Sequence, residues 1–93
     1  MAAKSGMKFM TGFVREYLYG TLERLDWDCD FNHYLIKHYP KMDREDRDLA
    51  ECFNFYLAEQ GFDLAGDLPD NEHRKFIHEQ FAKFEDIREN GFW

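Results

Sequence analysis

The sequence predicts an all-α protein, a compact bundle of four helices joined by short loops. Three observations carry this. Apolar residues recur at helical spacing in four separate segments, each segment is bounded by capping, proline or glycine residues, and no stretch alternates for long enough to make a strand. The helices are expected over about 7–25, 29–39, 43–60 and 70–89.

The first segment carries Phe9, Met10, Phe13, Val14, Tyr17, Leu18, Leu22 and Leu25 at i, i+3, i+4 and i+7 spacing. Gly12 and Gly20 fall inside it, each costing about 1 kcal/mol relative to Ala, and the apolar stripe is expected to outweigh them. Gly20 is also a candidate for a kink or a close helix contact. The second segment puts Phe31, Tyr34, Leu35, His38 and Tyr39 on one face. Pro40 is expected to end it, because a proline pushes the preceding residue out of the α region.

The third segment begins at Asp43 as N-cap, with Glu45 and Asp46 at the positive end of the helix dipole. Its stripe is Leu49, Cys52, Phe53, Tyr56 and Leu57. Gly61 is expected to be the left-handed residue that stops it, with Phe62 packing back on Leu57. The fourth follows Pro69, carries His73, Phe76, Ile77, Gln80, Phe81, Phe84 and Ile87, and ends on Asn90-Gly91-Phe92 by the same chemistry. The alternating Asp26-Trp27-Asp28-Cys29-Asp30-Phe31 is too short and too rich in Asp for a strand.

With 93 residues the chain is expected to be one domain, 1–93, with 1–6 a disordered tail. Ten Phe, five Tyr and two Trp argue against general disorder. No apolar run approaches the ~20 residues of a membrane-spanning helix. No apolar h-region follows the lysines of Met1–Gly12, so the expected compartment is the cytoplasm. Two cysteines, Cys29 and Cys52, fit reduced thiols there better than a disulfide framework.

The net charge of −7 sits in the middle of the chain: residues 49–73 hold six carboxylates and no Lys or Arg. Such a surface repels phosphate, which argues against direct nucleic-acid or anionic-membrane binding. It suits solubility or a basic partner.

No catalytic constellation emerges, and a non-enzyme is expected. Asp26-x-Asp28-x-Asp30 resembles the start of a calcium loop, but Phe31 and Lys37 stand where such a loop needs Gly and Glu. The three aspartates read instead as caps of the second helix. Cys29 and His33 share a helical face, and Cys52, His73 and His78 are the donors that could complete a zinc site, which makes a zinc-dependent protein the second alternative. No C-x₂-C or H-x₃-H pair supports it, and a free Cys on an apolar stripe is an ordinary core residue. No cofactor is expected.

The feature above background is a surplus of aromatics. Tyr19, Trp27 and Phe55 lie off the helical stripes, with Ile36 beside them. Joined to the carboxylates Glu51, Glu59, Asp63 and Asp67, they make the expected partner-binding surface of a small acidic protein-protein interaction or regulatory module. A homodimer is compatible with the same surface. The first alternative is an acidic inhibitor that mimics nucleic acid in front of a DNA- or RNA-binding protein. The 12 interleaved Lys and Arg weigh against that.

Overall fold

The computed structural model describes residues 6–20 and 22–91, apart from the side chain of Asp63. Among these residues the chain is all-helical. Helix α1 spans Gly6–Leu18, α2 spans Arg24–Glu45, α3 spans Arg47–Phe53 and α4 spans Asp70–Asn90. Helix α3 runs on without a break into a wide-turned π segment, Asn54–Leu64, so four helical rods make the bundle. Of the expected tail 1–6, residues 1–5 lie outside the described residues, while Gly6 is buried as the first residue of α1.

Helix α1 buries Met7, Met10, Phe13, Val14 and Tyr17 along α2. Its first turn is capped from the far end of α2, where the Glu45 carboxylate accepts from the amides of Gly6 (2.9 Å) and Met7 (3.2 Å). That satisfies two of the four donors a helix start leaves open. The helix stops at Leu18, seven residues before the expected Leu25. Gly20, at φ 89°, takes the left-handed conformation and turns the chain, and Leu25 is left 71% exposed at the start of α2.

Helix α2 starts earlier and ends later than expected. The Asp26 carboxylate accepts from the Glu23 amide (3.1 Å), which fixes the start before Trp27. The aspartates of 26–30 therefore sit within the first turns. Pro40 does not end the helix: it lies inside it, on the exposed side, while Leu35 and Met42 on either side are buried. Burial of those anchors outweighs the backbone hydrogen bond that proline removes. Asp43 is consequently not an N-cap but part of the last turn of α2. The bend falls at Asp46, whose extended backbone closes α2 and whose side chain accepts from the Leu49 amide (3.1 Å) to open α3.

Gly61 also departs from expectation. It has no positive φ and does not stop a helix; it is buried inside the π segment, against α4. Phe62 stacks on Phe31 (ring centroids 5.6 Å) instead of ending the helix on Leu57. Gly91 behaves as expected, with φ 75° and its amide donating to the Ile87 carbonyl (2.6 Å). The companion role of Phe92 lies outside the described residues.

The core is aromatic. Trp27 stacks on Phe31 (4.5 Å) and Phe13 (5.8 Å), Tyr17 tilts against Trp27 (4.8 Å), and Phe53 meets Phe84 edge to face (5.2 Å). Trp27, Tyr17, Phe31, Phe53 and Phe84 all have no exposed surface. No described helix is long and apolar enough to cross a membrane.

Candidate protein-binding face

The helices distribute the expected contact residues unevenly. Trp27 is not on the surface at all: among the described residues it is the largest fully buried side chain, at the centre of the aromatic core. The reason is the early start of α2, which puts Trp27 in register with Phe31 and Leu35 at i, i+4 and i+8. The side chain of Asp63 lies outside the described residues. Tyr19 is 74% exposed in the turn after α1, and Asp67 is exposed in the loop before α4.

Glu51, Phe55 and Glu59 do come together. They recur every four residues from α3 into the π segment, which places them on one exposed stripe. Asn54, next to Phe55, donates its amide to the Glu59 carboxylate (3.1 Å) and holds that side chain against the helix. Across from the stripe, α2 presents Asn32, Leu35, Ile36 and Tyr39. With Asn54 these line an open groove of about 340 Å³ between α2 and the junction of α3 with the π segment. Ile36 is 68% exposed here, an apolar side chain left in water beside a groove whose floor includes the buried Leu35.

Charges of both signs act on the groove at Tyr39. Burial raises the Tyr39 phenol above its ordinary range, and the carboxylates of Asp43 and Glu51 raise it further against the opposing charge of Arg47. Tyr39 is thus a neutral hydroxyl within the field of two carboxylates. The groove thus offers an apolar side chain and a phenol, with two carboxylates acting on the phenol. Periodicity alone points to Phe55 and the two glutamates. It misses Tyr39 and Asn54 as partners across the groove, because their meeting depends on how α2 and α3 cross.

The remaining sequence candidates do not assemble. Cys29 and His33 are exposed on α2, whereas Cys52 is buried in α3, where desolvation pushes its thiol up to about 11. Among the described residues no three His, Cys, Asp or Glu side chains are grouped to hold a metal ion. His73 is fully buried and bonded to Tyr17, 56 positions away in the chain, a pairing that no spacing rule reveals.

No protein-family model matches this chain, and no curated protein or solved structure matches it either.

Proposed function

We propose that this protein is a small interaction module that binds another protein through the α2–α3 face, without catalysis of its own. The observation that carries the reading is the exposure of Ile36 beside the acidic Glu51–Phe55–Glu59 stripe. An apolar residue in water is unremarkable alone, but here it borders a groove that also holds the Tyr39 phenol, with Asp43 and Glu51 acting on that phenol. The partner it suits is a segment carrying one apolar side chain between Lys or Arg residues. The apolar anchor would supply most of the affinity, and the carboxylates would speed encounter.

Affinity capture from a host lysate, with the wild type and an Ile36→Asp variant compared at low and high salt, tests this. The reading expects an identified partner with a basic surface, retained by the wild type through the high-salt wash and lost by a folded Ile36→Asp variant. Apolar contacts tolerate salt, while exposed ion pairs are screened within a Debye length of about 8 Å at physiological ionic strength. A partner that is lost at high salt, displaced by DNA and indifferent to Ile36→Asp would instead favour nucleic-acid mimicry.

A further inference from the structure

Near the start of α2 a polar cluster is sealed inside the core. His73, in the first turn of α4, has no exposed surface. Its Nδ1 shares a hydrogen bond of 2.6 Å with the Tyr17 hydroxyl of α1, and its ring meets Trp27 of α2 edge to face at 6.0 Å. Among the described residues its other nitrogen, Nε2, has no partner, and neither has Nε1 of Trp27. Three helices therefore meet on one imidazole that is tied at one nitrogen only.

Neutral imidazole fits this place because one of its nitrogens need not donate. Imidazolium does not fit, since both nitrogens then donate. Nδ1–H has the Tyr17 oxygen, but Nε2–H would be left as a charged, unpaired donor among aromatic rings, which is costly. The charged groups around the ring divide. Arg24 of α2 and Arg74 of α4 oppose a proton, with the Arg74 guanidinium lying 4.8 Å from the Tyr17 ring centre; Asp28 of α2 and Asp70 of α4 favour one. Tyr17 is the titratable group facing it from α1.

The same turn is held by Arg24, which donates to the carbonyls of Gly66 (2.8 Å) and Leu68 (2.7 Å) and pairs with Asp70 (3.3 Å). Its neighbourhood is loop 65–69 and the exposed Leu25, not the α2–α3 groove. The far half of α4 is anchored separately, by buried Ile77, Phe81 and Phe84 and by the Arg15–Glu85 ion pair (2.6 Å).

We propose that the Tyr17–His73–Trp27 cluster is an acid-released latch: protonation expels the His73 ring and frees the first turn of α4 with loop 65–69, while the rest of the bundle stays folded. The latch is independent of what the α2–α3 face binds. Burial, with Arg24 next, holds the buried ring down to about 4, against an ordinary value of 6.5 for a ring in water. The open form therefore binds the proton more tightly. The open population rises by close to tenfold per pH unit as pH falls from about 6.5 to about 4, and is flat outside that window.

The test uses the full chain with Trp93→Phe, so that Trp27 is the sole indole. Its emission and the hydrogen exchange of individual amides are followed from pH 7.5 to pH 4. The expected result is a red shift of Trp27 and loss of protection at 73 and 74, the first hydrogen-bonded amides of α4, with amides at 80–87 still protected. In a His73→Phe variant the transition disappears. Should that variant fail to fold, the His73 ring carbon resonance in the otherwise unmutated chain replaces it, and a titration that tracks the amide opening supports the latch. A Trp27 signal unchanged down to pH 4, a transition that persists in folded His73→Phe, a ring that titrates without amide opening, or simultaneous loss of protection throughout the chain would each overturn it.

Discussion

The backbone of Gly61 lies so close to Ile77 that a Cβ built on it would stand 2.9 Å from the Ile77 Cδ1 and 3.2 Å from the Tyr56 carbonyl oxygen. The π segment and α4 approach each other at this point, with Ile77 fully buried. Gly61→Ala is therefore expected to lower stability by about 1–2 kcal/mol through overpacking. Gly12, inside α1, has open space where a Cβ would go, so Gly12→Ala is expected to raise stability by about 0.5–1 kcal/mol. Urea denaturation of the two variants, read for midpoint at constant slope, checks the opposite signs.

Glu45 links the last turn of α2 to the first turn of α1 through two backbone amides. Glu45→Gln removes the negative charge at a helix start and replaces one acceptor oxygen by a donor. A loss of about 1 kcal/mol is expected, with faster exchange of the α1 amides. Unchanged exchange at residues 6–9 would show that the cap contributes nothing.

Pro40 leaves the Ile36 carbonyl without its helical donor, on the exposed side of α2. Pro40→Ala restores that donor and is expected to stabilise the protein by about 1 kcal/mol or more, offset in part by the freer unfolded chain. Calorimetry in which Pro40→Ala melts below the wild type would mean that α2 does not run continuously through this position.

Much of the fold is legible in the sequence, for reasons that can be named. The stripes of α1 and α4 bury nearly the residues that their spacing marks, and Gly91 takes the left-handed conformation its place after Asn90 suggests. Pro40 misleads because proline's cost is local, whereas the burial of Met42 beyond it is tertiary. Gly61 misleads because glycine serves two ends, a positive φ and a close approach, and only the neighbour Ile77 reveals which. Trp27 is hidden by its aspartate neighbours: their alternation obscures a helical stripe that runs Trp27, Phe31, Leu35 once the helix start is moved to Arg24. Of the proposed contact surface, the shared stripe of Phe55 and the two glutamates is readable from spacing. The groove across from them is not, since it is made by the crossing of two helices.

The central claim, that the α2–α3 face binds a partner, is tested most directly by the affinity of the captured partner for Phe55→Ala. Phe55 is 36% exposed on the stripe between Glu51 and Glu59. Titration calorimetry with the purified partner is expected to show a loss of more than about 1 kcal/mol, a fivefold or larger rise in Kd, at an unchanged melting temperature. Unaltered affinity in the folded variant, or a domain that melts without Phe55, would contradict the account and return this side chain to the core.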